Sequence, residues 1–287
     1  MTNENLSIGF IGAGRVGFTL GRFFYEKNLK ISGYYSKTFE HACDAADFTC
    51  SKSFQSIKKL ANESQVIFIT VPDSCIYDVY LKLKECDLRD KILCHCSGAL
   101  SAGIFKDVDK IGAYRYSVHP VFAISDKKNS YKDISKAFFT VEGDKEKMPV
   151  IEDIFKKLGN SYQIICAENK PKYHASLAMS SNLVIGLYHI ALRTLKECGF
   201  SDSAAVQALN PLFLHNAETV CQNGCLNALT GPVDRNDFKT VAEHLLAIDN
   251  MNTKKLYKLL SGEVLEIAKI KYPEKDYNDL ENLLNKE

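Results

Sequence analysis

The stretch that most constrains the fold of this chain is the apolar run Ser7 to Ile11, followed at once by Gly12-Ala13-Gly14-Arg15-Val16-Gly17. A buried strand that passes through three glycines spaced in this way must turn sharply and enter a helix. Gly12 permits the tight turn, Gly14 lets a phosphate group approach the backbone, and Gly17 lets the helix pack closely on the strand. The start of the helix then offers unpaired N–H groups and the positive end of a dipole. Glycine turns of this type also serve purely structural ends. Here the position after a strand, before a helix and ahead of more strand-helix units predicts a dinucleotide site formed by residues 12–17.

The units that follow are legible as apolar, β-branched runs alternating with helix-like stretches. Ser7 to Ile11, Lys30 to Tyr35, Gln65 to Val71 and Lys91 to His95 read as buried strands, with crossovers beginning at Arg15, Thr38, Asp73 and Leu100. This alternation predicts an α/β domain with a parallel, doubly wound sheet. Tyr114 to Val118, Ala137 to Val141 and Tyr162 to Cys166 read as further strands, with a helix from Met148 to Leu158 stopped by Gly159. From Glu168 onward no strand pattern follows, and apolar residues recur at helical spacing. The expected division is therefore an N-terminal domain over 1–167 and an all-α domain over 168–287. A single long helix is expected from Lys170 to Cys198, followed by helices over Asp202 to Gln222, Phe238 to Ala247, Thr253 to Ile270 and the tail from Lys275.

Length and charge fit that division. With 287 residues, 46% of them hydrophobic, the chain can bury two modest cores. The 36 Lys and Arg against 35 Asp and Glu argue against a nucleic-acid surface built on bulk electrostatics. The start, MTNENLSIGF, lacks the pattern of a secretory signal and reads as cytoplasmic. The most apolar long stretch, Leu177 to Leu195, is interrupted by Ser180, Ser181, Asn182, His189 and Arg193, so no membrane span is expected. Ten scattered cysteines without a CxxC pair read as reduced, partly buried thiols. In Cys94-His95-Cys96 a strand would send the two sulfurs and the imidazole to opposite faces, so no metal site is expected.

The residue ending the second strand discriminates between the nicotinamide cofactors, because a carboxylate there binds a ribose hydroxyl and repels a 2′-phosphate. This chain has Ser36-Lys37-Thr38 instead, two hydroxyls flanking a cation, which favours NADP over NAD unless Lys37 is only a solvated surface charge. Two further turns, Val71-Pro72-Asp73-Ser74 and Cys96-Ser97-Gly98-Ala99, follow strands at the edge where open α/β sheets bind ligands. Val71, Pro72, Ser97 and Gly98 are accordingly candidate cofactor contacts, with ordinary turn chemistry as the alternative.

The segments GFIGAGRVG, ITVPDS, CHCSGALS, SVHPVFAI, KPKYHASLAMSSN, LNPLF and TGPVDRND, in this order, closely resemble a family of Rossmann-like proteins with an uncharacterised C-terminal helical domain. Members are usually labelled NADP oxidoreductases. They are similar in architecture to 6-phosphogluconate, 3-hydroxyisobutyrate and pyrroline-5-carboxylate reductase-type enzymes, within the superfamily of 6-phosphogluconate dehydrogenase-like C-terminal domains. The resemblance spans nearly the whole chain and implies hydride transfer between a nicotinamide and a small carbonyl or imine compound, with the helical domain pairing with its twin in a homodimer.

The wider superfamily places a Lys, followed four residues later by an Asn, at the start of the interdomain helix. Lys170 matches the Lys, but the later position is His174, so the resemblance does not imply a hydroxyacid substrate. At about 100° per residue, Lys170, His174 and Ser181 fall within about 40° of one another on a continuous helix, with Asn182 at the rim of the stripe. This makes Lys170, His174 and Ser181 candidate catalytic residues and Asn182 a substrate contact, against the alternative of an exposed first-turn lysine and an interface histidine. His119, before Pro120 at a strand end, is a second imidazole for the same cleft, or a loop histidine fixing its turn. In related two-domain reductases a loop like Gly231 to Asp237 reaches the partner's cleft, which would let Arg235 anchor an anionic substrate. The alternative there is a loop held by its own salt bridges. Two other readings compete: a dinucleotide-binding regulatory or sensor protein without turnover, favoured by the altered Lys-Asn pair, and a metal-dependent enzyme using His119, His174 and a cysteine.

Overall fold

A computed structural model of the chain describes residues 6–286. Residues 1–5, part of the stretch read as a cytoplasmic start, lie outside the described residues. The chain forms two compact units that divide between Ser180 and Ser181.

The first unit is built on one eight-stranded sheet in the order β3-β2-β1-β4-β5-β6-β7-β8. The strands are β1 (Ser7–Ile11), β2 (Lys30–Tyr35), β3 (Lys52–Phe54), β4 (Val66–Ile69), β5 (Ile92–His95), β6 (Tyr114–Val121), β7 (Phe138–Gly143) and β8 (Tyr162–Ile164). The first six run parallel; β7 is antiparallel to β6, and β8 is parallel to β7. The helices are α1 (Arg15–Glu26), α2 (Phe39–Phe48), α3 (Ile57–Glu63), α4 (Asp73–Leu83), α5 (Met148–Leu158) and α6 (Lys170–Met179). The fold is α/β, with a doubly wound, parallel-dominant sheet followed by a helical region.

Strand alternation builds the two cores. Along β4, Val66 and Phe68 join a cluster with Phe10, Phe24 and Tyr34, whereas Ile67 and Ile69 join another with Ile11, Tyr80, Leu93 and Phe105. All four β4 side chains are buried, so the strand has no polar face. Full burial of a Phe or Ile contributes about 1.5–3 kcal/mol each, which fixes the register of the central strands.

Two elements differ from expectation. β3 is absent from the sequence reading because Lys52–Phe54 is three residues long with only Phe54 buried. After β5 the chain makes short 3-10 turns at Ala102–Ile104 and Asp109–Ile111 instead of a helical crossover. The backbone there is pinned from outside, since Glu142 Oε2 on β7 accepts the Ala102 N–H at 2.7 Å.

The second unit consists of α7 (Asn182–Glu197), α8 (Asp202–Ala228), α9 (Phe238–Ala247), α10 (Met251–Lys271) and α11 (Asn278–Asn285). The long helix expected from Lys170 to Cys198 is therefore two, α6 and α7. Ser181 has φ −129° and ψ −85°, outside helical values, and Ser180 Oγ donates back to Leu177 O at 3.2 Å. Serines that bond the preceding turn weaken the helical ladder. The break moves the unit boundary from the expected 167/168 to 180/181, because α6 packs with the sheet unit. α8 is likewise interrupted at Gly224, with φ 74° and ψ 165°. The core of this unit is small, drawn from α9, α10, α11 and Val233. α7 buries none of its residues, and Leu183 and Ile185 are 60% and 71% exposed.

Candidate cofactor and catalytic site

The glycine turn is built as the sequence requires. Gly12 has φ +107°, and its N–H donates to Tyr35 O at 2.8 Å, tying the turn to the end of β2. Thr70 Oγ1 donates to Gly12 O at 2.8 Å and ties it to the end of β4. A Cβ at Gly17 would sit 2.3 Å from Gly12 O and 2.4 Å from Thr70 Oγ1, so this glycine is demanded by packing. Gly14, the N-cap of α1, differs: a Cβ there meets no atom within 4 Å. Gly14 and Arg15 are exposed, Val16 is partly buried and Ala13 is buried. The cradle thus has open space above a helix N-terminus whose N-cap side chain supplies no oxygen, which suits a pyrophosphate.

Ser36, Lys37 and Thr38 follow the end of β2. Among the described residues no ion pair engages Lys37, and Thr38, the N-cap of α2, makes no side-chain cap bond. Two hydroxyls and a cation are thus left for an external anion. Val71 and Pro72 lead into α4, and Pro72 is its N-cap.

The Ser97-Gly98 turn is heavily fixed. Ser97 Oγ donates to Asp73 Oδ2 at 2.6 Å and accepts the Ala99 and Leu100 N–H groups at 3.2 and 3.0 Å. Its N–H donates to His95 Nδ1 at 3.2 Å, and its carbonyl accepts from both Ser117 Oγ and Lys170 Nζ. Lys170 is only 1% exposed; Nζ donates to Ser97 O at 3.0 Å and Ser117 Oγ at 2.6 Å. Burial lowers its pKa, opposed by the carboxylates of Glu142 and Asp73. The expected alternative of an exposed lysine does not hold, and neither does an open ammonium: the charge lies beneath the turn.

Two imidazoles close over Gly98. A Cβ there would lie 2.9 Å from His119 Nε2 and 3.0 Å from His174 Cδ2. His119 Nδ1 is 2.7 Å from Tyr173 Oη, which also accepts from Thr140 Oγ1 at 2.9 Å. Burial, aided by Lys170, lowers the His119 pKa to about 4. His174 is exposed on α6. The sheet unit therefore gathers Ser97, Gly98, His119, Lys170 and His174, and adds Asp73, Ser117, Thr140, Glu142 and Tyr173, which the sequence reading missed. Tyr173 had a legible signal, lying three residues after Lys170, a spacing that puts the two side chains on one helical face.

Ser181, Asn182 and Arg235 belong to the second unit. The break at Ser181 removes the continuous helix on which its alignment with Lys170 and His174 rested. Ser181 Oγ is 3.3 Å from Asn182 Oδ1 at the head of α7. Arg235 is exposed on a loop held by the Lys271–Asp234 ion pair at 3.1 Å. Asn236 in that loop has φ +58°, a left-handed conformation that asparagine tolerates better than most residues with a side chain. Among the described residues no group of three or more His, Cys, Asp or Glu side chains is arranged to hold a metal ion.

Comparison with known proteins agrees with this architecture. Residues 1–120 match a Rossmann-like domain, and residues 137–264 match a domain of unknown function, DUF2520. No curated protein matches the chain. Among solved structures, the protein TM1727 from Thermotoga maritima is 28% identical with a TM-score of 0.76, over 92% of this chain and 99% of that one. BF3122 from Bacteroides fragilis, which bears the name of an NADP oxidoreductase, is 21% identical with a TM-score of 0.69, over 92% and 100% of the two chains. Pyrroline carboxylate reductase from Plasmodium falciparum, solved with NADP bound, is 18% identical with a TM-score of 0.58, over 93% and 97%. The candidate site takes residues from both matched regions, Ser97, Gly98 and His119 from one, and Thr140, Lys170, Tyr173 and His174 from the other. The chain thus joins a Rossmann-like domain to a C-terminal DUF2520 domain.

Proposed function

We propose that the chain is an NADP-dependent oxidoreductase that moves hydride between the nicotinamide and a small carbonyl or imine compound, acting in the cytoplasm as a homodimer built on its helical unit. The observation that carries the reading is the contrast at the glycine turn, where Gly17 is required by neighbouring atoms and Gly14 by none of them. A glycine that the fold does not need is explained by a ligand that must approach its backbone. The shared fold of the named reductases supports the class of chemistry but not a substrate.

When bound, the nicotinamide supplies the hydride chemistry. Residues 12–17 would hold the pyrophosphate, and Ser36, Lys37 and Thr38 the 2′-phosphate, with Val71 and Pro72 beside the dinucleotide. Ser97 and Gly98 form a fixed turn beside the reacting centre, and the Lys170 ammonium beneath it holds that turn and lends it positive potential. His174, exposed and ahead of the turn, exchanges the proton with the substrate heteroatom. The apolar side chains that α7 leaves exposed support the dimer.

Titration with NADPH and NADH, followed by NADPH consumption over a panel of small carbonyls and imines, tests the reading. Failure of both nucleotides to bind at millimolar concentration overturns it. His174→Ala should lower turnover by about 10²–10⁴-fold with cofactor affinity intact. The second reading, a nucleotide-binding sensor, is favoured by the engagement of Lys170 with Ser97 and Ser117 inside the protein. Tight NADPH binding with no turnover on any substrate would select it.

A further inference from the structure

We propose that Tyr173 and Thr140 are a positioning pair that fixes His119 as a neutral imidazole with its proton on Nε2, so that the donor offered over the Gly98 turn is an uncharged N–H. The substrate side of this proposal rests on the oxidoreductase reading; the tautomer does not.

The geometry begins with the sheet. His119 and Thr140 face each other directly across the antiparallel β6·β7 pair, so their side chains lie together on one face. Tyr173 reaches them from α6, with Oη 2.7 Å from His119 Nδ1 and 2.9 Å from Thr140 Oγ1. Thr140 donates to the phenol oxygen. The phenol has one hydrogen, and the acceptor within reach is Nδ1. A neutral imidazole that accepts at one nitrogen carries its proton on the other. Protonating Nδ1 would set an N–H against the O–H and leave the Tyr173 hydrogen without that acceptor, so the contact opposes the charged ring.

The surroundings act in the same direction. Lys170 and His174 on α6 and His95 on β5 disfavour a cation at His119, and Asp73 on α4 opposes them. Burial is the largest influence. The Nε2 end is the one that comes within 2.9 Å of a Cβ placed at Gly98. A neutral imidazole there can polarise a carbonyl or imine without surrendering its proton. This divides the labour: His119 orients the heteroatom, and exposed His174 carries the proton.

The test uses nitrogen-15 NMR of the full chain labelled in its histidine rings, with His119→Gln to assign the signals. The expected wild-type spectrum has an unprotonated Nδ1 and a protonated Nε2 for His119, unchanged between pH 8 and pH 5. In Tyr173→Phe the two nitrogens should shift toward averaged tautomers and the titration should move up toward the ordinary histidine range. Thr140→Val removes the donor that commits the phenol hydrogen to Nδ1 and should shift the two nitrogens in the same direction, by less than Tyr173→Phe does. A wild-type Nδ1–H form, or an imidazolium at pH 6, overturns the proposal even if the Tyr173→Phe protein does not fold. A tautomer unchanged in folded Tyr173→Phe does so as well, because packing alone would leave the nitrogens unmoved. No cofactor enters this measurement, so failure of NADPH to bind overturns the oxidoreductase reading and leaves the tautomer standing.

Discussion

Replacing Gly17 and Gly14 separately by alanine should divide folding from binding within four residues of chain. The Gly17 Cβ would enter the gap between Gly12 O and Thr70 Oγ1, at 2.3 and 2.4 Å, where the two atoms now share a hydrogen bond of 2.8 Å. Gly12 O is backbone and cannot rotate aside, so α1 must lift or the bond must break. Overpacking costs about 1–3 kcal/mol and the lost bond about 1 kcal/mol, offset by about 1 kcal/mol of helix propensity. The net loss is about 1–3 kcal/mol, which lowers the melting temperature by about 2–12 °C for a unit of this size. Gly14→Ala meets no neighbour and has φ −80°, accessible to any residue, so stability should change by less than about 1 kcal/mol. Affinity for NADPH and NADH should nevertheless fall together by at least about tenfold, about 1.4 kcal/mol, because the methyl occupies the approach to the helix N-terminus. Calorimetric melting and nucleotide titration on the two variants provide the check. Equal melting losses, or wild-type NADPH affinity in Gly14→Ala, would refute the reasoning.

Lys37→Ala should weaken NADPH by about 1–2 kcal/mol and leave NADH nearly unchanged; equal losses in the two titrations defeat the 2′-phosphate assignment. His95 and His119 both have pKa values lowered to about 4, chiefly by burial, so the folded chain leaves them neutral where the unfolded chain takes up protons. Their contribution to stability is present above about pH 6.5 and is lost as pH falls toward 4, at about 1.4 kcal/mol per pH unit for each histidine. Urea unfolding between pH 7 and pH 4.5 should show that slope, and His119→Gln should remove one proton's share of it; a flat profile contradicts the burial argument. Light scattering at micromolar concentration should give a dimer, and Ile185→Asp should dissociate it; a monomeric wild-type chain counts against the helical-unit interface.

The glycine turn, the central strands and the change to helices after the sheet were legible because each rests on local chemistry: three glycines, runs of buried β-branched residues, and Gly159 stopping α5 at φ 79°. The break between α6 and α7 was not, because the sequence keeps its apolar content through Ser180 and Ser181 and contains neither proline nor glycine there. Its signal was weaker, a Ser-Ser-Asn run whose side chains compete with the helical ladder. The burial of Lys170 was illegible for another reason. Its partners, Ser97 and Ser117, lie 73 and 53 residues away and come within its reach only when the end of β5 pairs with the middle of β6. Histidines could be nominated from sequence, but their protonation could not, since it depends on Thr140 arriving through the antiparallel pairing of β7.

Gly98 sets a limit on how the site can vary. Both imidazoles rest against a residue without a side chain, so the floor between them is peptide, and a methyl there would collide with two rings at once. The Ser97 network below cannot sink to make room, because its hydroxyl, amide and carbonyl are all engaged. Any enlargement must therefore move His119 or His174, the two groups to which the proposed chemistry gives the substrate heteroatom and its proton. Changes in what the cleft accepts would have to enter from its walls, leaving position 98 as the fixed gauge between two rings.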